Sequence, residues 1–201
     1  MKSNMTYIKH NTAVISEKAQ IGEGTTISEF VVIRGNAIIG KNCHLDVGVV
    51  VEQDTIIGDN TKIYQYSVVR RNSVIGKDCI FGKCVMIENN VVMGNEVHIV
   101  DLTHITSTCI IEDKVFFGPN VVTDNTANVL SFRNKTVELQ GPVIKHGARI
   151  GTAAILARGI TIGRNTVVGR GSLVLKDIPD NQLWYGYPAR YIREVPQEEW
   201  V

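Results

Sequence analysis

Counting in sixes from Ile15, every step lands on a large apolar residue: Ile15, Ile21, Ile27, Ile33, Ile39, Leu45, Val51, Ile57, Ile63, Val69, Ile75, Phe81, Ile87, Met93, Ile99, Ile105, Ile111 and Phe117. Two places before each stands a small or β-branched residue, from Ala13, Ala19 and Thr25 through Cys43, Thr61 and Cys79 to Val115 and Val121. A spacing of two puts both residues on one side of a strand, with the residue between them facing water. Six is not a whole number of helical turns, so a helix does not account for the pattern. The other three residues of each hexad are turn-like. Gly22, Gly40, Gly58, Gly76 and Gly94 follow large residues at intervals of eighteen. Glycine at such corners suits a left-handed backbone. Three hexads per superperiod predict a triangular coil of three short strands and three corners, stacked on the next coil as parallel strands.

The phase breaks once. After Thr123 the next clear members are Ile144, Ile150, Leu156, Ile162, Val168 and Val174, and the offset from 123 to 144 is not a multiple of six. The expectation is therefore one all-β domain over 1–201, with coils at about 11–123 and 143–175, an excursion over 124–142 and a tail over 176–201. The excursion is polar but carries Val129, Leu130 and Phe132, and loops this long within a compact domain are commonly functional. The aromatic-rich tail, with Trp184, Tyr185, Tyr187, Tyr191 and Trp200, suits a cap on the last coil.

Composition narrows the function. The 201 residues carry 21 basic and 20 acidic side chains, without the concentrated basic face of a nucleic-acid binder. No long apolar run suggests a membrane span, and Met1 to His10 lack the apolar core of a signal peptide. Cys43, Cys79, Cys84 and Cys109 form no CxxC pair, and three of them fall on inward positions where free cysteine behaves as a small hydrophobe. A reduced, cytoplasmic protein follows as the expectation.

The repeat Ile57-Gly58-Asp59-Asn60-Thr61-Lys62 resembles the hexapeptide-repeat acyltransferases. So does the closing run Val168-Gly169-Arg170-Gly171-Ser172, then Lys176-Asp177-Ile178-Pro179, then Gly186-Tyr187-Pro188-Ala189-Arg190. The resemblance covers essentially the whole chain. It implies a left-handed parallel β-helix, against the right-handed rule for ordinary crossovers. Phe117-Gly118-Pro119-Asn120 and Gly147-Ala148 before Ile150-Gly151 are similar to bacterial enzymes that N-acetylate nucleotide-linked amino sugars. Those relatives imply acetyl-CoA as co-substrate with no metal required, and a homotrimer with coenzyme A in the groove between subunits. They also imply an acceptor attacking the thioester directly. Some members carry two asparagines where this chain has Asp101-Leu102, which puts the substrate subgroup in question.

Acyl transfer to an amine needs an unprotonated nucleophile, a place for the oxyanion and, where the amine arrives charged, a base. His44, His98 and His104 occupy outward positions, His10 precedes the repeat, and His146 lies on a corner. His104 shares its face with Val122, at the root of the excursion, and is the first candidate base; His98 is the second. Asp101, on the corner between them, could orient a histidine or receive an ammonium. Asp124, Asn125 and Arg133 are candidates for the acceptor. Gly151, Ala153, Ala154, Gly169, Arg170, Gly171, Lys176 and Arg190 are candidates for coenzyme A, offering small residues, open backbone and cations for phosphates. Cys84 has no evident base beside it and is not nominated as a nucleophile. Three other readings stay open: an O-acyltransferase on a sugar, antibiotic or amino-acid hydroxyl, a zinc lyase, for which the spacing of His98 and His104 is unsuited, and a non-catalytic scaffold.

Overall fold

The computed structural model describes residues 7–127 and 138–201. The chain coils into a left-handed parallel β-helix of triangular section, its walls three sheets of eleven, nine and eight strands, parallel throughout except at the C-terminal hairpin. Face I carries the strands Thr26–Ile27, His44–Leu45, Lys62–Ile63, Ile80–Phe81, His98–Ile99, Phe116–Phe117, Arg149–Ile150 and Val167–Val168. Face II carries Val14–Ile15 through Met86–Ile87, His104–Ile105 and Val122–Thr123 to Ile155–Leu156 and Leu173–Val174. Face III carries Gln20–Ile21 through Ile110–Ile111 and Val143–Ile144 to Thr161–Ile162. Each strand pairs with the one a full coil away, as in His44 with Lys62 and Met86 with His104.

From Thr25 onward both inward members of each hexad are buried, while Ile15, Ala19 and Ile21 of the first coil are half-buried against them, and together they form one continuous core from Ala13 to Ala189. Where the small member is hydroxylic it does not go unpaired. The Thr25 hydroxyl donates to the Gly40 carbonyl at 2.8 Å, Ser67 to Gly82 at 2.8 Å and Thr103 to Gly118 at 2.9 Å, each fifteen residues ahead. Buried hydroxyls need such partners. Cys43 and Cys79 make the same contact with thiols, reaching the carbonyls of Gly58 and Gly94 at 3.2 and 3.3 Å. Burial pushes all three inward thiols up, Cys79 to about 11.

The corner glycines serve a different purpose from the one expected. Gly22, Gly40, Gly58, Gly76 and Gly94 do not have positive φ; the left-handed residue comes two places later, at Gly24, Asn42, Asn60, Asp78 and Glu96. The glycines are needed for stacking. A Cβ on Gly58 would stand 2.6 Å from the Gly76 carbonyl carbon in the next coil. Asn and Asp fill about half of the non-glycine left-handed sites, their short side chains tolerating that region, while Phe30, Tyr66, Leu102 and Thr108 are held there by the corner itself.

Across the excursion the register jumps from 18 to 33 residues, as in Ile111 with Ile144, so the insertion is fifteen residues. The Gln140 N–H donates to the Asn125 carbonyl at 2.9 Å, and Gly141 and Pro142 are buried back in the coil. The chain thus departs after Asn125 and has returned by Gln140, a shorter excursion than 124–142. The β-helix also runs past Leu175: Ile178 bridges Ile162, and Trp184 pairs with Val168 over the open core. An antiparallel hairpin, Gln182–Gly186 with Ala189–Glu194, then widens face I. At the other end the strand Ile8–Lys9 precedes the first expected coil.

Candidate functional site

His104 projects from face II between Met86 below and Val122 above. Its Nε2 lies 3.0 Å from Glu88 Oε1. Glu88 opens the corner one coil below, held by its N–H on the Ile105 carbonyl. The other carboxylate oxygen accepts two bonds from Ser107, from the N–H at 3.0 Å and from the hydroxyl at 2.9 Å. Burial pushes the Glu88 carboxyl up, but the Ser107 hydroxyl, the His104 ring and the Ser107 N–H outweigh it and hold the group below its usual value. An ionised Glu88 can only accept, so Nε2 carries the proton and Nδ1 is the ring nitrogen left with a lone pair. Behind this pair, Asn125 is 8% exposed and donates its amide to the Ser107 carbonyl at 3.3 Å. The root of the excursion therefore braces the residue that braces Glu88.

The other expected residues separate by location. His98 stands on face I with its ring edge-on to Phe116 at 5.5 Å, on a different wall from His104. The Asp101 carboxylate is engaged at its own corner, accepting the Lys83 N–H at 2.8 Å. Asp59, Asp113 and Asp180 clamp the coil beneath in the same way, which assigns Asp101 a role in the corner and not beside the His104 ring. Asp124 is exposed, with Oδ1 taken by the N–H groups of Asn125 and Thr126. Asn125, expected to meet the acceptor, is instead buried in the brace. Arg133 lies outside the described residues.

Of the coenzyme candidates, Gly151, Ala153, Gly169, Arg170 and Gly171 line the edge between faces I and II, above His104. Added side chains there would strike backbone at Gly151 and the Tyr185 ring at Gly169, whereas Gly171 opens to free space. Ala154 is turned into the core and offers no side chain to a ligand. Lys176 sits on the opposite border of face II, its ammonium 5.2 Å from the centre of the Trp184 ring. Arg190 is exposed on the hairpin, one Nη1–H returned to the Ala189 carbonyl at 3.0 Å. Two clefts of about 310 and 560 Å³ open at the N-terminal end, around Lys9 and Thr26 and around Ile15 and Arg34, far along the prism from His104. Among the described residues no three His, Cys, Asp or Glu side chains converge as a metal site, and no helix is long and apolar enough to cross a membrane.

Glu88 and Ser107 were not singled out in the sequence. Glu88 precedes His104 by sixteen residues, one coil down and two places along, and a carboxylate at that offset is the signal that could have found it.

With this geometry in hand, comparison with known proteins places the chain. The family described as "GMPPB C-terminal domain" matches residues 4–115, more than half of the sequence. The chain belongs to that family. This GMPPB C-terminal-domain member shares its fold with the hexapeptide-repeat acyltransferases. The UDP-N-acetylglucosamine acyltransferase of Francisella novicida superposes with a TM-score of 0.83 at 21% identity, over 96% of this chain and 72% of that one. The galactoside O-acetyltransferase of Escherichia coli K12 is 36% identical over 85 residues, 34% of this chain and 42% of its own length. The dTDP-3-amino-3,6-dideoxy-alpha-D-galactopyranose 3-N-acetyltransferase of Aneurinibacillus thermoaerophilus is 48% identical over 48 residues, 24% of this chain and 25% of its own. The matched stretches thus span less than half the length of these curated relatives.

Proposed function

We propose that this protein transfers an acyl group from coenzyme A to a nucleotide-linked sugar, with His104 as the base, and that a hydroxyl is the first acceptor to consider. The observation that carries the reading is the His104–Glu88–Ser107 chain on an open face at the root of the excursion. A hydroxyl stays protonated at neutral pH, so its attack needs a base more than an uncharged amine does. Relatives named as galactoside O-acetyltransferases, from Escherichia coli and Lactococcus lactis, support the hydroxyl. The relative named as a 3-N-acetyltransferase supports an amine as the second reading.

In the proposed reaction Nδ1 of His104 takes the acceptor proton as the oxygen attacks the thioester carbonyl carbon. The tetrahedral adduct collapses with loss of the C–S bond, and the imidazolium returns its proton to the leaving sulfur. Glu88 remains ionised and balances the imidazolium. Gly151, Ala153 and Gly169 to Gly171 would let the pantetheine arm lie close along the edge between faces I and II. A homotrimer in the cytoplasm, with a neighbouring subunit closing face II, completes the reading. Asp101 and His98 have no part in the proposed chemistry.

Release of coenzyme A thiol from acetyl-CoA, measured against galactosides and UDP- and dTDP-linked sugars, tests the proposal. His104→Ala should lower kcat by roughly 10²- to 10⁴-fold. A rate within about twofold of wild type would remove His104 from the role.

A further inference from the structure

Arg158 differs from every other arginine among the described residues. Arg70, Arg149, Arg164 and Arg193 each have a carboxylate within 4.0 Å. Arg34, Arg71, Arg170 and Arg190 are exposed to water. Arg158 is half-buried and has neither advantage. One Nη2–H goes to the neutral Gln140 Oε1 at 3.0 Å, and its Nε–H is buried with no acceptor among the described residues. The aspartates of the adjoining corners form no ion pair with it: Asp124 Oδ1 holds its own turn, and Asp177 Oδ1 accepts the Thr161 N–H at 2.7 Å. Residues 128–137 contain no aspartate or glutamate, and Glu138, which follows them, is exposed and forms no ion pair with Arg158 among the described residues. A guanidinium does not lose its proton in proteins, and burying one without an opposite charge is costly.

Its position suggests what supplies the charge. Arg158 lies on the edge between faces II and III, on the coil above the point where the excursion leaves and returns. There the Asp124 N–H meets the Leu156 carbonyl at 2.8 Å and the Gly159 N–H meets the Gln140 carbonyl at 2.9 Å. Strand pairing runs from His104 to Val122 to Ile155, so Arg158 stands two coils above the His104 strand. At a spacing of about 4.8 Å per coil that is roughly 10 Å along the axis. The glycine-lined edge assigned above to coenzyme A is the other border of face II. A molecule held between His104 and Arg158 therefore approaches from the side opposite the coenzyme.

We propose that Arg158 is an oxyanion subsite for the acyl acceptor, binding a phosphate that the acceptor carries roughly 10 Å from its reacting group. The planar fork of a guanidinium suits two phosphate oxygens, and the ligand's charge replaces the one the chain lacks. This deepens the reading of face II as an acyl-transfer site and rests on it for the acceptor's identity. Binding itself can be measured without turnover.

Calorimetric titration of the full chain with UDP and, separately, with acetyl-CoA is the test. Wild type should bind both; Arg158→Gln should weaken UDP by about tenfold or more, with acetyl-CoA within about twofold, and Arg158→Lys should recover part of the loss. In acyl transfer to a UDP-linked sugar, Arg158→Gln should raise KM by a similar factor and leave kcat within about twofold. If Arg158→Gln does not fold by circular dichroism, Arg158→Lys and Gln140→Ala take its place, each expected to weaken UDP in a folded chain. Three results would overturn the subsite: no UDP binding to wild type, equal UDP affinity in the variants, or a loss falling on acetyl-CoA. Equal affinity together with weakened subunit association would assign Arg158 to a neighbouring chain's carboxylate. UDP binding lost in the variant, with no acyl transfer by wild type to any acceptor, would sink the proposed reaction and leave the subsite standing.

Discussion

Glu88 illustrates how a side chain on a solenoid surface acquires a specific state. Its oxygens are divided between His104 and Ser107, and the three donors hold its carboxyl below the usual value of about 4.5 against the opposing push of burial. A depressed folded value means stability that is present above the unfolded value and lost as pH falls through the folded one. Glu88→Gln should therefore be less stable than wild type by a constant amount above about pH 4.5, with the gap closing at lower pH. Urea unfolding at pH 7 and pH 3 measures the gap; one that persists undiminished at pH 3 would remove the ionised carboxylate as its cause. The thiols give a second residue-scale expectation. Cys43, Cys79 and Cys109 are buried and Cys84 is exposed at a corner. The native chain should react with a thiol reagent at Cys84 alone, and at all four cysteines once unfolded. Rapid native labelling of Cys79 would contradict the burial described above.

At the scale of the element, the unit is a hexad whose two inward residues fill the prism and whose corner allows the next coil to sit close. Gly58 and Gly171 separate the two uses of glycine. A Cβ on Gly58 would press into the Gly76 backbone, while Gly171 has positive φ and nothing within 4 Å. Gly58→Ala should cost about 1–3 kcal/mol through overpacking. Gly171→Ala should cost about 1–2 kcal/mol through backbone strain alone. The distinguishing measurement is structural. Gly58→Ala should displace the adjoining coil, visible as amide chemical-shift changes at Gly76 and Lys77, whereas Gly171→Ala should leave its neighbours in place. Undisturbed shifts around Gly76 would show that stacking does not require glycine there.

At the scale of the whole molecule, the core is continuous past the excursion, because Asn125 and Gln140 meet across its base at 2.9 Å. Deleting residues 126–140 removes the fifteen added residues and returns the register from 33 to 18. The shortened chain should unfold within a few degrees of wild type, since a change of about 1 kcal/mol moves a domain of this size by roughly 2–4 °C. Under the proposed reaction it should also lose acyl transfer, because the excursion is rooted at Asn125, which braces Ser107, and at Gln140, which meets Arg158. A collapse of thermal stability would mean that the excursion is part of the core; full activity would separate it from catalysis.

The triangular coil, its inward and outward positions and the single break in phase were all legible in the sequence. Each is written locally and repeated, so Ile105 and Thr103 declare their direction by the company of every other hexad. His104 was legible as an outward histidine at the root of the excursion for the same reason. Its partners were not. Glu88 and Ser107 come to it through the lean of side chains across stacked coils, which a period of six does not encode. The continuation through Ile178 and Trp184 was hidden because those residues keep the inward direction after the spacing has lapsed. That Arg158 has no carboxylate partner among the described residues was equally invisible, since only the folded chain shows which side chains meet. Periodicity decides where a residue points; packing between coils decides what it meets.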